Sequence, residues 1–173
     1  MSYGRILAIS GCLLLAACSS WSASESKPQA TADLRNGSGQ SVGTVAFFEE
    51  KDGVRIAVKA TGLPPGKHGI HIHTVAKCDP PDFTSAGGHF NPTGKSHGLQ
   101  NPAGPHAGDL PNLVVGADGK GSLEYTNKLI SVSSGSNAIS GASVVIHAGP
   151  DDERTDPAGN SGARIACGVV RKS

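Results

Sequence analysis

The chain has 173 residues, of which 37% are hydrophobic and 17% charged, and its formal net charge is +1. This length and hydrophobic content fit one domain with a sizeable core. The 24 glycines and 11 prolines, with few long helical patterns, argue against a mainly helical fold and favour an all-β one with many turns. A net charge so close to zero leaves nucleic acid out as an expected partner, so any attraction for an anionic substrate has to come from a local arrangement of charges.

The N-terminal residues 1–17 are predicted to be a signal peptide. Arg5 precedes an apolar run at residues 6–15, which is too short to span a bilayer. The next residues, Leu-Ala-Ala-Cys, resemble the bacterial lipoprotein cleavage box, in which the cysteine, here Cys18, becomes the lipidated first residue of the mature protein. An ordinary signal peptide with a coincidental cysteine is the alternative.

Residues 18–30 are then expected to be a lipidated N-terminus and flexible tether, because this stretch is polar and has no periodicity. The protein is accordingly predicted to be exported and anchored to a membrane of the cell envelope, on the periplasmic side or at the cell surface.

Residues 31–173 are predicted to form the folded domain, which begins with three strands. They are expected at residues 31–35, 40–49 and 54–60. In the third, Val54, Ile56 and Val58 alternate with other residues at the period of a half-buried strand.

The stretch Gly-Ile-His-Ile-His at residues 69–73 is predicted to be a strand with two distinct faces. Its alternation places His71 and His73 on one face and two isoleucines on the other. A solvated strand face is the ordinary alternative for an isolated pair of this kind. The pair is not isolated, because Val-Val-Ile-His at residues 144–147 presents His147 in the same way from a distant strand.

Residues 74–112 show no convincing strand or helix, and a loop of this length is expected to be functional. The loop carries candidate metal ligands at His89, His97, His106 and Asp109. Imidazoles suit copper or zinc, and the last three residues with one more imidazole would make a closed tetrahedral zinc site. The seven candidate ligands can serve two four-coordinate ions only if one is shared, and His89 lies between the two groups in sequence.

The remaining strands are predicted at residues 113–117 and 122–126, which form a hairpin, and at 143–147 and 163–170. Together these segments give eight strands. Such a pattern favours an all-β, eight-stranded, flattened Greek-key β-barrel or sandwich. Two long loops, at residues 74–112 and 148–162, are expected to carry the function.

From about residue 31 to residue 170 the chain resembles the copper/zinc superoxide dismutases, in their bacterial exported form. The residues that carry the resemblance are the motifs GIHIH, GGHFNP and GNSGARIACGVV and the complete set of metal ligands. The resemblance implies one copper ion and one zinc ion per subunit. By it, copper is held by His71, His73, His89 and His147, and zinc by His89, His97, His106 and Asp109.

The resemblance also implies catalytic roles for Arg164 and His89. Arg164 is in register with the family's active-site arginine, whose guanidinium holds superoxide beside the copper; an ordinary surface charge at a strand end is the alternative. His89 would accept and return a proton during the copper cycle. Asp151 would link the copper ligand His71 to the zinc ligand His97.

The four cysteines are accounted for by export. Cys12 is removed with the signal peptide and Cys18 is acylated, so Cys78 and Cys167 remain and are expected to pair in an oxidising compartment. The family pairs the matching cysteines, and two buried free thiols are the alternative. His68 has no assigned role and is expected at the surface.

The function that the resemblance implies is dismutation of superoxide to oxygen and hydrogen peroxide, which would protect the envelope from extracytoplasmic superoxide. One alternative is a non-catalytic envelope lipoprotein that stores or buffers copper and zinc, which leaves Arg164 without a purpose. A structural β-sandwich whose loops bind another protein is a second alternative, which leaves seven ligands unexplained. A homodimer is compatible with the family, but its interface is not predicted.

Overall fold

The computed structural model describes residue 1 and residues 26–173, and the folded part is all β, as predicted. One turn of 3-10 helix lies at Thr84–Ala86. In the described part of the chain no helix is long and apolar enough to cross a membrane. The described residues form ten strands, which are β1 (Ala30–Asn36), β2 (Ser41–Glu50), β3 (Gly53–Ala60), β4 (Gly66–His68), β5 (Ile70–His73), β6 (Leu113–Val115), β7 (Gly121–Asn127), β8 (Ser143–His147), β9 (Arg164–Val169) and β10 (Arg171–Lys172).

The strands form one antiparallel sheet that curls into a nearly closed Greek-key barrel. Their order is β4-β6-β7-β3-β2-β1-β9-β8-β5, and β10 pairs with β1. The two end strands, β4 and β5, are separated in sequence by Gly69 alone, so the ends of the sheet lie side by side. Residues 128–142 connect β7 to β8, which are not neighbours in the sheet, and this crossing connection is typical of a Greek key.

The core lies inside the barrel and is built from alternate residues of the strands. Val54, Ile56 and Val58 of β3 are buried there, as their alternation predicts. Ile70 and Ile72 of β5 belong to the same core, so the histidines that alternate with them point to the outer face. The metal-binding face therefore rests on a strand whose other face is fixed by core packing.

The predicted count of eight strands is slightly wrong, because β4 and β10 were missed. These strands are three and two residues long, too short to produce an alternating pattern. The predicted strands otherwise correspond to observed ones within one or two residues. Residues 74–112, predicted to have no helix, contain the turn at Thr84–Ala86 and two single antiparallel bridges to β5.

Candidate metal centre

The centre lies on the outer face of β5 and β8, beneath the two long loops. β5 and β8 are antiparallel neighbours, with His71 opposite Val145. A shift in register between Ile146 and His147 places the latter at the end of β8, opposite Arg164. The strands thus bring together three of the predicted ligands that are distant in sequence.

The loop at residues 74–112 folds back onto β5 like an additional strand. His89 and Asp109 form single antiparallel bridges with His73 and His71. The backbone approach is close, because a Cβ on Gly108 would lie 2.3 Å from the carbonyl oxygen of Ile72. Glycine at this position therefore lets the loop lie against the strand.

The first cluster consists of four imidazoles that share an unusual property. In each ring one nitrogen is buried and has no hydrogen-bond partner among the described residues. Buried polar atoms are rarely left unpaired, and four imidazole nitrogens within 4.8 Å of one another are a donor set that suits a transition metal such as copper or zinc. These atoms are Nδ1 of His71 and Nε2 of His73, His89 and His147.

The opposite nitrogen of each of these rings is engaged. His73 Nδ1 donates to the carbonyl oxygen of Gly87 at 2.9 Å, and His147 Nδ1 donates to that of Gly162 at 3.0 Å. His71 Nε2 donates to Oδ2 of Asp151 at 2.7 Å. These bonds fix the tautomers and orient the free nitrogens toward one point.

The second cluster has tetrahedral spacing. Oδ1 of Asp109 lies 2.9 Å from Nδ1 of His89, 3.1 Å from Nδ1 of His97 and 3.4 Å from Nδ1 of His106. A tetrahedral zinc with bonds of about 2.0–2.1 Å separates its ligand atoms by about 3.3 Å. The donor set fits zinc, and His89 faces both clusters, one with each ring nitrogen.

Burial and carboxylates act in opposite directions on the pKa values. Burial lowers the pKa of His71 to about 3, of His73 to about 2 and of His147 to about 4, and it also lowers that of His89. These rings are therefore neutral near pH 7, the form that binds metal. Burial also acts to lower the pKa of His97, but hydrogen bonds with Asp109 and Asp151 outweigh it and raise the pKa to about 9.

Arg164 lies next to the first cluster, because Gly87 accepts hydrogen bonds from both Arg164 and His73, and its guanidinium is held by backbone carbonyls. Its Nη1 donates to Phe83 at 2.8 Å and its Nη2 to Gly87 at 2.7 Å. The guanidinium lines an open cavity of about 450 Å³ with Asp82 and Thr84. Sequence reasoning missed Phe83 and Gly87, because a contact through a backbone carbonyl requires no particular side chain.

His68 is not at the surface, so that prediction is wrong. It is 2% exposed, and its ring nitrogens lie 2.8 Å from the carbonyl oxygens of His147 and Pro64. The ring is thus a buried link between the residues just before β4 and the end of β8.

The predicted disulfide is confirmed. Cys78 and Cys167 are bonded, with their Cα atoms 5.6 Å apart and a sequence separation of 89 residues. The bridge ties the first long loop to β9.

The predicted signal peptide at residues 1–17, apart from residue 1, lies outside the described residues, as do Cys18 and the tether up to residue 25.

Comparison with known proteins points to one family. A family model described as copper/zinc superoxide dismutase matches residues 41–170. A protein of Aquifex aeolicus named superoxide dismutase [Cu-Zn] 1 is 47% identical over 145 residues, covering 81% of this chain and 86% of its own. A superoxide dismutase [Cu-Zn] of Caulobacter vibrioides is 41% identical over 148 residues, covering 82% and 85%.

Solved structures agree in fold. A double mutant of a superoxide dismutase-like protein from Bacillus subtilis is similar with a TM-score of 0.77 and 47% identity, covering 80% of this chain and 95% of its own. The Cu/Zn superoxide dismutase from Brucella abortus is similar with a TM-score of 0.68 and 32% identity, covering 82% and 98%.

Proposed function

The chain belongs to the copper/zinc superoxide dismutase family, and from this premise we propose how its own residues carry out the reaction. It is an enzyme that converts superoxide to oxygen and hydrogen peroxide, with copper and zinc as cofactors. The observation that best supports our residue assignments is the convergence of four unpartnered, buried ring nitrogens.

We assign the first cluster to copper and the second to zinc. Copper, when bound, supplies a one-electron couple that takes an electron from one superoxide and gives it to a second, while zinc supplies a fixed positive charge. A set of four imidazoles suits copper, and a closed set of three imidazoles and a carboxylate suits zinc. The copper ligands are His71, His73, His89 and His147, and the zinc ligands are His89, His97, His106 and Asp109.

His89 is assigned the proton transfer. Its Nδ1 is directed at the zinc cluster, 2.9 Å from Asp109, and its Nε2 is free in the copper cluster. Nε2 is therefore the atom at which a proton is held and passed to reduced oxygen. With Nδ1 committed, the ring keeps its position during the transfer.

Arg164 is assigned to binding the substrate. Two hydrogen bonds to backbone carbonyls hold the guanidinium beside the open cavity. There the positive charge of the guanidinium attracts superoxide, and its bulk excludes larger anions. A metal store would have no use for an arginine placed in this way, and the relatives are named as dismutases. The non-catalytic alternative is therefore not favoured.

We also propose that the enzyme acts outside the cytoplasm on a lipid anchor. The disulfide is consistent with an exported protein. In this proposal residues 1–17 are removed, Cys18 is acylated, and residues 18–30 tether the domain formed by residues 31–173. Replacing Cys18→Ser is expected to move the protein from the membrane fraction to the soluble fraction, and an unchanged distribution refutes the anchor.

The assignment of Arg164 is tested by assaying superoxide dismutation with the protein loaded with copper and zinc. Arg164→Ala is expected to lower activity by about ten-fold, because it removes the charge next to the cavity. Arg154→Ala is the matched control, since Arg154 is exposed on the second loop and bonds Gln100. Both variants should retain their metals. Equal activity in the two variants contradicts the role, and bound metals without activity in the unaltered protein indicate a metal store.

A further inference from the structure

A groove on the outer face of the barrel lies over the disulfide and contains no residue of the two metal clusters. Its volume is about 300 Å³. It runs along β1 and β9 on one side and the start of the first long loop on the other. Both cysteines of the disulfide line it, with Pro80 and Phe83 of the loop.

The charged side chains that line the groove are Arg35, Arg171 and Asp33, so the net charge of its walls is positive. All three are exposed. Arg35 lies directly opposite Cys167 in the β1–β9 register. Residues opposite one another in an antiparallel pair have their Cβ atoms about 4.5–5.5 Å apart on the same face, so the side chain of Arg35 starts beside that of Cys167. Nη1 of Arg35 donates to the carbonyl oxygen of Gly39 at 2.8 Å, and Gly39 also lines the groove.

The two sulfurs differ in access. Cys78 is half-buried, whereas Cys167 is 1% exposed. A nucleophile that enters the groove therefore attacks the sulfur of Cys78, in the loop. The sulfur of Cys167, in β9, is then the leaving group.

We propose that this groove is a site of thiol–disulfide exchange that admits small, negatively charged thiols. The thiolate sulfur of the incoming molecule bonds to Sγ of Cys78, and the bond between the two cysteines breaks. The electron pair of that bond leaves on Sγ of Cys167 as a thiolate, which is stabilised by Arg35. The step consumes no oxidant, and its reverse re-forms the disulfide and releases the thiol.

Exchange in the groove also reaches the active site. Phe83 lines the groove, and its carbonyl oxygen accepts the 2.8 Å hydrogen bond from Arg164. Opening the disulfide frees this part of the loop from β9. The supply of anionic thiols is thereby coupled to the position of the substrate-binding arginine.

The test measures the rate of mixed-disulfide formation on the full chain loaded with zinc alone, so that copper does not consume the thiol. The probes are 2-mercaptoethanesulfonate, which is anionic, and 2-mercaptoethanol, which is neutral, compared at equal thiolate concentration. Acid quenching, alkylation and mass spectrometry identify the modified cysteine. The adduct is expected on Cys78, formed faster by the sulfonate by about three-fold or more.

Variants of the groove separate attraction from leaving-group stabilisation. Arg171→Gln is expected to lower the ratio of the two rates and Asp33→Asn to raise it, because only the anionic probe responds to those charges. Arg35→Gln should slow both thiols. Lys59→Gln, an exposed position on β3 outside the groove, should change neither rate. A rate ratio near one in the unaltered protein, a ratio that the variants do not change, or an adduct on Cys167 overturns the proposal.

Discussion

The carboxylate of Asp151 holds the ring of His71 through a 2.7 Å hydrogen bond from Nε2 to Oδ2. Its other oxygen accepts a 3.0 Å hydrogen bond from Nε2 of His97. One buried carboxylate thus fixes a ring in each cluster. Because Nε2 carries the proton in both rings, Nδ1 is the atom left to bind metal.

Replacing Asp151→Asn is expected to weaken zinc binding by about 10–100-fold, as is typical when the partner of a ligating histidine is lost. An amide has the same shape, but its NH2 group would face a ring N–H and cannot accept that proton. Competition with a chelator measures the change. Asp152→Asn is the control, because Asp152 is an exposed carboxylate in the same loop that bonds only loop residues. Equal zinc affinity in the two variants contradicts the bridging role.

The strands that were predicted correctly are those that follow from a pattern of neighbouring residues in the sequence. The alternation in β3 and β5 determines which side chains enter the core, so the strands and the outward direction of His71 and His73 could be read directly. The assignment of the seven ligands to copper and zinc came from a family resemblance. Spacing alone did not show that the shift in register between Ile146 and His147 would accompany the approach of His147 to the first cluster.

The parts that could not be predicted depend on backbone atoms distant in sequence. His68 is buried because its ring lies between the carbonyl oxygens of Pro64 and His147, and any residue type can supply a carbonyl. The same holds for Phe83, which lies at a positive φ of 56° and directs its carbonyl oxygen to Arg164. Neither contact leaves a pattern in the sequence.

Replacing His68→Ala is expected to destabilise the protein by about 2 kcal/mol, because the buried carbonyl oxygen of His147 loses its hydrogen-bond partner. Urea unfolding of the zinc-loaded chain measures the free energy of unfolding. Lys67→Ala, at the exposed neighbouring position, should change it by less than about 0.5 kcal/mol. A loss no larger for His68 than for Lys67 would show that the buried link contributes nothing.

The pKa shifts predict a different pH dependence of proton release for the two metals. His97 has its pKa raised to about 9, so it is protonated at pH 7 in the metal-free chain, and zinc has to displace that proton. The pKa values of His71, His73 and His147 lie at about 3, about 2 and about 4, so these rings are already neutral. Copper added afterwards to the zinc-loaded chain should still release about one proton, because Nε2 of His89 has to lose its proton before a ring bound through Nδ1 can bind a second ion. Proton release on zinc binding should fall by about one as the pH rises through about 9, whereas the release on copper binding should not change there. A pH-stat titration measures both, and a release on zinc binding that stays the same across this pH range contradicts the protonated state of His97.

Removal of zinc is expected to loosen the first long loop before it unfolds the barrel. Oδ2 of Asp109 accepts hydrogen bonds from the backbone amides of Gly98 at 2.8 Å and His106 at 2.9 Å, so a zinc-bound carboxylate also fixes the backbone around it. Without the ion, this carboxylate has fewer constraints, and residues 91–106 of the loop bury no hydrophobic side chain that could replace them. Hydrogen exchange at both amides should therefore accelerate in the zinc-free protein. Amides of β3, such as that of Val58, belong to the central ladder and serve as the control, since their protection depends on the core. Unchanged exchange in the loop would show that the disulfide and backbone bonds suffice to order it, and acceleration in β3 as well would show that zinc stabilises the whole barrel.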